Sequence, residues 1–346
     1  MKPLFVTGLG AFTPVGLNVP QTMGSLLARL QWFDDLDLTG ATGQPVTGAR
    51  VSLSNVANAT ERYAAMGRFA LAECRASSHS AGAAGEPAPL FLATSHPRDL
   101  PCAPEQLLAR ILDGDDETAE PGASAAVDRR GSRVFADGRD GTLRALAAAQ
   151  GLIASGRARA CYVGGVDSFM DPVRLHELLE DGRLLDGAGT DGFIPGEAGV
   201  FLRLEGRPAR AGGGVISAVT LNDQAAAPGS ALADAAAEAM RLCGTGASSL
   251  AALVHDGASA QVTVEEIAMT VSRLPFENSA PLAPWAPAFS VGETGAAAGL
   301  LAIAMTAFFL QEKIFAGPAL VLLLSETAKR AALIMGPNET REGRRG

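Results

Sequence analysis

The stretch FADGRDGTLRAL, residues 135–146, places a polar turn flanked by glycines directly before an apolar helical pattern. Many enzymes place a nucleophile in such a turn, because the N-terminal end of a helix stabilises negative charge. This turn offers Asp137, Arg139 and Asp140, and it contains neither cysteine nor serine. The position therefore suits a nucleophile, whereas the residue types do not supply one for acyl transfer.

The four cysteines are the next candidates for nucleophilic or redox chemistry. Cys74, Cys102, Cys161 and Cys243 are widely separated, and their spacing matches neither a metal site nor a disulfide framework. Cys102 precedes the helical pattern PEQLLARIL, and among the four only this position favours a lowered thiol pKa. Cys161 begins an apolar strand pattern and is expected to be an inert core thiol.

Cofactor and metal motifs do not emerge from the sequence. The glycines of VTGLGAFTPVG, at positions 8, 10 and 16, do not have the G-x-G-x-x-G spacing of a dinucleotide site. No group of His, Cys and Asp has spacing suited to a metal ion. The sequence therefore predicts neither a cofactor nor a bound metal.

Composition and charge indicate an acidic α/β protein. The 346 residues are 47% hydrophobic and 19% charged, with a formal net charge of −9. Lys and Arg cluster only in the final TREGRRG, so nucleic acid is not expected as the main ligand. The N-terminus resembles a first strand and not a signal peptide. The apolar run at 296–310 is shorter than the roughly 20 residues that span a bilayer, so we expect a cytoplasmic protein without membrane contact.

The chain repeats one succession of elements. Each half begins and ends with an apolar strand and carries two helix-to-strand units between them. The helices at 60–76 and 141–158 lead into strands at 88–95 and 161–168, and those at 230–244 and 292–317 lead into strands at 249–257 and 318–326.

This repeat predicts the architecture. Continuous apolar strands alternating with helices indicate sheets covered on both faces. The helices at 141 and 292 are apolar nearly all round, so they should lie between two sheets at the centre. The sequence therefore predicts an α/β fold of five layers, α-β-α-β-α, with duplicated halves at 1–207 and 208–336 and a disordered tail at 337–346.

Three stretches carry a resemblance to a known family: VTGLGAFTPVG (6–16), IASGRARACYVGGVDSF (153–169) and DGFIPGEAGVFLRLEG (191–206). They are similar to the thiolase fold and, within it, to the β-ketoacyl-acyl carrier protein synthases, or ketosynthases. The resemblance implies a cysteine nucleophile at the start of the first central helix and two histidines in the second half that stabilise an enolate. It also implies a lysine beside the second histidine and a glycine-rich turn near the C-terminus.

The residues at these positions differ from the family pattern. A gapless count from Gly164 and Gly165 puts the nucleophile position on Arg139, with Asp140 as the neighbouring choice. The second histidine position falls on Glu293 and the lysine position on Ala288. The first histidine position falls on His255, or on Asp256 if Gly257 sets the register. The sequence LLSETAK, 323–329, replaces the glycine-rich turn.

These replacements predict a degenerate pocket without catalytic residues. A guanidinium cannot form an acyl thioester, and a carboxylate would repel an enolate. Because the family's central helices point their N-termini into one pocket, we expect Arg139 and Glu293 to form a salt bridge that fills it, with Asp137 or Asp140 sharing the cation. The alternative is that Arg139 points to solvent from a surface loop.

Two classes of function follow from the resemblance. One is a non-catalytic protein partner, adaptor or chaperone, similar either to the chain length factors that pair with ketosynthases or to thiolase-like proteins of bacterial type VI secretion. The short chain and the arginine count against a chain length factor and favour the type VI secretion proteins. The other is an enzyme, a 3-oxoacyl synthase, acyltransferase or hydrolase with a displaced nucleophile. The family resemblance also implies a homodimer, or a heterodimer with a ketosynthase, formed through the edge strand SRVFAD at 132–137. It further implies an acyl carrier protein or a protein client as a ligand.

Overall fold

Hydrophobic strands alternating with helices build the same unit twice in this chain. The computed structural model describes residues 2–338 except 55, 57, 79–86, 119–126, 188–190, 208–213, 223–228, 258, 259 and 277–281. Of the tail predicted to be disordered at 337–346, Pro337 belongs instead to a strand that pairs with Gly214, and residues 339–346 lie outside the described part of the chain.

The first unit contains seven strands and five helices in its described residues. The strands are β1 (Leu4–Phe12), β2 (Asp34–Thr39), β3 (Pro45–Gly48), β4 (Ala88–Thr94), β5 (Val127–Phe135), β6 (Ala160–Ser168) and β7 (Glu197–Glu205). The helices are α1 (Val19–Leu27), α2 (Ala59–Ala76), α3 (Pro104–Thr118), α4 (Arg139–Ala154) and α5 (Pro172–Glu180).

The second unit follows the same order with fewer insertions. Its described strands are β8 (Gly214–Asn222), β9 (Ala252–His255), β10 (Pro284–Trp285), β11 (Ala319–Leu324) and β12 (Arg330–Pro337). Its described helices are α6 (Ser230–Cys243), α7 (Gln261–Arg273), α8 (Ala288–Val291) and α9 (Ala298–Gln311). The boundary predicted at 207/208 lies between β7 and β8, and its exact position stays a prediction.

The strand order shows the duplication directly. It runs β5-β4-β6-β7-β1 in the first unit and β10-β9-β11-β12-β8 in the second. In each unit the first three strands pair in parallel, and the fourth strand pairs antiparallel with the third and with the fifth. The two sheets meet where β1 pairs with β8 over a short antiparallel stretch, Leu4 with Ile216 and Phe5 with Val215. The predicted duplicated halves are therefore confirmed.

The helices form three layers around these two sheets. The outer helices α2 and α3 pack on the first sheet, and α6 and α7 pack on the second. The central helices α4 and α9 share one core cluster with the inner faces of both sheets. The predicted five-layer α-β-α-β-α arrangement is therefore confirmed.

The central helices differ in detail from the sequence prediction. Helix α4 begins at Arg139, two residues earlier than predicted, and ends before Gly156, whose φ is +72°. The helix predicted over 292–317 is shorter in the structure: after α8 the chain turns at 292–294, a 3-10 turn covers Gly295–Ala297, and α9 ends at Gln311. Within the described residues, no helix has the length and apolarity needed to cross a membrane. The apolar run at 296–310 lies mostly in α9, which is buried nearly all round.

Candidate functional site

Two glycines in unusual backbone conformations place the charged residues of the site. Gly138 has φ +58° and Gly292 has φ +69°, a region that residues with a side chain rarely adopt. A Cβ on Gly138 would lie 2.9 Å from Glu326 Oε1, and one on Gly292 would lie 2.7 Å from the Ile194 carbonyl oxygen. The residue after each glycine is therefore held in one orientation at the start of a central helix region.

Arg139 is the first residue of α4, and its side chain crosses from the first unit to the second. Its Nε donates to Glu293 Oε1 at 3.2 Å, and its Nη2 donates to Glu293 Oε2 and, at 3.0 Å, to the Asp256 carbonyl oxygen. Its Nη1 lies 3.4 Å from the Leu324 carbonyl oxygen and 3.3 Å from Asp256 Oδ2. All three nitrogens of the guanidinium are thus engaged by groups of the second unit.

Glu293 is fixed by its backbone as well as by the ion pair. Its N–H donates to the Ile194 carbonyl at 2.7 Å, and its carbonyl accepts from Gly196 N at 2.8 Å. Its Oε1 also accepts from Gly295 N at 2.7 Å. The predicted salt bridge between Arg139 and Glu293 is therefore confirmed, and it is direct. The alternative, an arginine directed to solvent, is wrong, because Arg139 is only 9% exposed.

The second carboxylate on the guanidinium is Asp256, so the prediction that Asp137 or Asp140 shares the cation is wrong. Asp256 Oδ1 accepts from Leu324 N at 2.9 Å while Oδ2 faces Arg139. Asp137 lies before the reversal at Gly138 and forms a partly exposed ion pair with Arg144. Asp140 accepts instead from the Thr327 hydroxyl at 3.4 Å.

His255, the other candidate for the first histidine position, ends β9 and is buried. Its Nδ1 accepts from Gly257 N at 3.2 Å, and none of the hydrogen bonds of Arg139 goes to its ring. Burial, with a contribution from the charge of Arg139, lowers the pKa of His255 to about 4. This histidine is therefore neutral at neutral pH.

Burial and ion pairing oppose each other in the cluster of Arg139, Asp256 and Glu293. Burial disfavours the charged form of Arg139, but the carboxylates of Glu293 and Asp256 outweigh this cost and raise the guanidinium pKa. Burial raises the pKa of Asp256 to about 6, against the lowering effect of Arg139. The cluster therefore holds one buried cation against two buried acidic side chains.

A third carboxylate, Asp167, holds the start of the second central helix, and the sequence analysis did not identify it. Its Oδ2 accepts from Ala296 N at 2.8 Å, and its Oδ1 accepts from Arg174 Nη1 at 3.0 Å. Burial and the Asp167 charge together raise the pKa of Tyr63, whose hydroxyl belongs to the same network. The signal in the sequence was an acidic residue one position before the end of the mostly apolar strand β6.

An open cavity of about 400 Å³ lies in front of the ion pair, so the prediction that the salt bridge fills the pocket is wrong. Arg139 and Glu293 form part of its wall, and the LLSETAK segment contributes Ser325, Glu326 and Thr327. The Ser325 hydroxyl accepts from Thr327 N at 3.1 Å, so it is engaged within its own turn. Glu326 also lies 3.4 Å from His96, which follows β4.

None of the cysteines, all of which are described, lines this cavity. Cys102 packs beside the outer cluster around α2 and α3, and burial raises the pKa of the Cys161 thiol to about 12. Ala288, at the lysine position, is the first residue of α8. The described residues contain no cluster of three His, Cys, Asp or Glu side chains that could hold a metal ion. At the position that the resemblance gives to the nucleophile, the structure holds the paired guanidinium of Arg139.

Solved ketosynthase structures are similar to this chain over nearly its whole length. One is the structure of a type II PKS acyl-carrier protein in complex with its ketosynthase bound to the hexaketide. The matched chain is 15% identical to this chain, the match covers 97% of this chain and 99% of that chain, and the TM-score is 0.75. A ketosynthase in complex with its chain length factor, from Xenorhabdus doucetiae, is 13% identical, with coverage of 97% and 98% and a TM-score of 0.68.

The ketosynthase from module 6 of the bacillaene synthase of Bacillus subtilis 168 is 13% identical, with coverage of 98% of this chain and 72% of that chain and a TM-score of 0.72. No protein-family model matches the sequence, and no curated protein matches it. At these identities the similarity establishes the fold alone: the chain has the thiolase-like fold of ketosynthases and chain length factors.

Proposed function

We propose that this chain is a non-catalytic, ketosynthase-like protein that acts through contacts with other proteins. The observation that carries the proposal is the buried ion pair of Arg139 with Glu293, at the place where the family resemblance requires a thiolate and a histidine. A guanidinium cannot attack a thioester. A carboxylate beside the reacting carbon would destabilise the enolate that condensation forms, because like charges repel strongly in a buried site.

A chain-length-factor-like role is the form of this proposal that the structural relatives favour. One of them is named as a ketosynthase in complex with its chain length factor, a pairing of two proteins of this fold. Strand β5 lies at the end of the strand order and pairs, among the described strands, with β4. It offers an edge for a second chain of the same fold, either a ketosynthase or another copy.

Two other functions compete with this role. An adaptor or chaperone in type VI secretion uses the same inactive pocket but requires a client protein, and no contact described above selects one.

An acyltransferase with a displaced nucleophile requires an activated hydroxyl or thiol at the cavity. Ser325 lines the cavity, and the hydrogen bonds of its hydroxyl stay within residues 325–327.

The proposal is tested with the ketosynthase encoded nearest to the gene for this chain. The purified chain alone should release no carbon dioxide from malonyl-loaded acyl carrier protein above the buffer rate. Mixed with that ketosynthase, it should form a complex in size-exclusion chromatography with light scattering. Carbon dioxide release or condensation by the chain alone would overturn the proposal.

A further inference from the structure

A second cavity, of about 360 Å³, opens at the end of the first sheet that lies away from the ion pair. Its wall includes Ala88 at the start of β4, Ala160 at the start of β6 and Glu205 at the end of β7. Leu152, also in the wall, lies near the C-terminal end of α4. At about 1.5 Å per helical residue it is about 20 Å from Arg139 along the helix. The cavity is therefore separate from the site described above.

Cations outnumber carboxylates in this wall, although the whole chain has a formal net charge of −9. The charged residues of the wall are four arginines and two acids: Arg133, Arg157, Arg159, Arg203, Asp128 and Glu205. Most of the other lining residues are apolar, among them Phe91 and Leu152. The cavity therefore combines an excess of two positive charges with apolar surface.

Arg203, on β7, is the buried cation of the wall and is only 4% exposed. Its Nη1 donates to Glu205 Oε1, which also accepts from the Thr7 hydroxyl at 3.0 Å. Its Cζ lies 5.9 Å from the centre of the Tyr162 ring. Its Nε is buried and has no hydrogen-bond partner in the described part of the chain. Buried donors normally have an acceptor, so the protein leaves this guanidinium incompletely satisfied.

Arg133 and Arg157 carry exposed charge at the cavity. Neither has a carboxylate at ion-pair distance among the residues that the structure describes, and Arg157 Nε donates to the Ser155 hydroxyl at 3.1 Å. Asp128, the second acid of the wall, accepts through Oδ1 from Arg130 N at 3.1 Å. The guanidinium groups of Arg133 and Arg157 are therefore available to an external anion.

A bulge in the edge strand β5 places Arg133 at the cavity. Pro89 of β4 pairs with Asp128, and the second residue after Pro89 already pairs with Arg133, so β5 carries extra residues here. Ser132 holds them, because its hydroxyl donates to the Asp128 carbonyl at 2.7 Å and accepts from Leu90 N at 2.9 Å. Bulges of this kind redirect side chains and are frequent beside functional sites.

The arginines reach the cavity from three elements, which are β5, the loop between α4 and β6, and β7. A phosphate monoester carries a charge of about −1.5 to −2 and has three acceptor oxygens that point in different directions. It therefore matches both the excess charge and the several directions of approach. A single carboxylate is planar and is matched by one guanidinium fork.

We propose that this cavity binds a small organic phosphate monoester, with its phosphate on Arg133 and Arg157 and its apolar part against Phe91 and Leu152. Arg203 adds positive charge from the wall. The inference goes beyond the proposed function and does not depend on it, because the ion pair of Arg139 lies at the other end of α4.

Isothermal titration calorimetry of the full chain with phenyl phosphate tests the proposal. We expect saturable binding of one phenyl phosphate per chain, which weakens as salt is added because the arginines are partly exposed. Benzoate carries the same ring on a carboxylate, and inorganic phosphate lacks the ring. Each should bind at least about tenfold more weakly, which corresponds to about 1.4 kcal/mol.

A pair of double variants separates the cavity from the general charge of the surface. Arg133→Gln with Arg157→Gln should weaken the binding of phenyl phosphate by about tenfold or more. Arg98→Gln with Arg241→Gln removes the same charge at exposed arginines outside the cavity and should leave binding within about twofold. Both variants should unfold at the temperature of the natural chain without ligand, because all four side chains are exposed.

Equal weakening in the two double variants, or equal affinity for benzoate, would overturn the proposal. So would the absence of saturable heat with phenyl phosphate, or tighter binding of an oligothymidylate at the same phosphate concentration, which would indicate a nucleic-acid surface. These results leave the proposed function intact, because they do not concern the ion pair. Conversely, condensation by the chain alone would overturn the proposed function whatever the anion binding shows.

Discussion

Arg139 and Glu293 each follow a glycine with positive φ, and their side chains meet between the two duplicated units. The duplication explains this relationship, since equivalent turns before the two central helices converge on one pocket. In this chain the two turns carry opposite charges, which form an ion pair, and Asp256 places a second acidic side chain on the guanidinium. The ion pair therefore joins the two units through buried side chains.

Removing the cation should destabilise the protein strongly. In Arg139→Met, Glu293 and Asp256 stay buried without a counter-charge, and breaking a buried pair in this way costs about 3–5 kcal/mol. The measurement is the free energy of unfolding from urea titration near neutral pH. Arg144→Met on the same helix is the matched control, because its ion pair with Asp137 is partly exposed and should cost no more than about 1 kcal/mol. Equal losses in the two variants would contradict a buried junction.

The raised pKa of Asp256 predicts a pH-dependent stability. The carboxyl pKa is 3.8 as a reference and about 6 in the folded protein, so the native state binds the proton more tightly. The stability that the protonated Asp256 adds to the folded state is complete below about pH 4 and is lost as the pH rises through about 6. The free energy of unfolding of the natural chain should therefore fall, relative to Asp256→Asn, by up to about 3 kcal/mol between about pH 4 and pH 7. Parallel pH profiles of the two proteins would show that Asp256 titrates normally.

Tyr63 should not ionise while the protein is folded. Burial and, to a smaller extent, the charge of Asp167 raise the pKa of Tyr63. The protonated phenol therefore stabilises the folded state fully below about pH 10, and this stabilisation is lost as the pH rises from there through the raised pKa. The chain has two tyrosines, so Tyr162→Phe leaves Tyr63 as the only phenol. Alkaline titration of this variant should show no phenolate absorbance before unfolding, whereas the urea-unfolded variant should titrate near pH 10. Reversible phenolate formation in the folded protein would contradict the buried network.

The edge strand β5 should mediate assembly. Val134 is half-buried on this strand and pairs with Leu92 of β4. We expect a mass of twice 35.3 kDa by light scattering, or a heterodimer with a ketosynthase, and we expect Val134→Lys to give the monomer. Val264→Lys, at an exposed valine of α7, is the control and should leave the mass unchanged. A monomeric natural chain that also fails to bind a ketosynthase would exclude this edge as an interface.

The sequence predicted the layers and the repeat because apolar periodicity is a local signal, whereas the Arg139–Glu293 pair was predicted from the resemblance to the family. It left His255 and Asp256 as alternatives, since a shift of one residue at the end of β9 decides which side chain faces the pocket. It assigned Asp137 and Asp140 to the cation because it did not account for the chain reversal at Gly138. Asp167 was missed because its partner Ala296 is distant in sequence.

The central claim, that a neutralised arginine occupies the place of an acyl-accepting cysteine, is tested most directly by intact-mass spectrometry. The natural chain is incubated with acyl-loaded acyl carrier protein and with acyl-coenzyme A, beside an active ketosynthase as a positive control. The account predicts that the mass of the chain stays unchanged while the control gains one acyl group. A stoichiometric acyl adduct on the chain, at Cys102, Ser325 or any other residue, would contradict it.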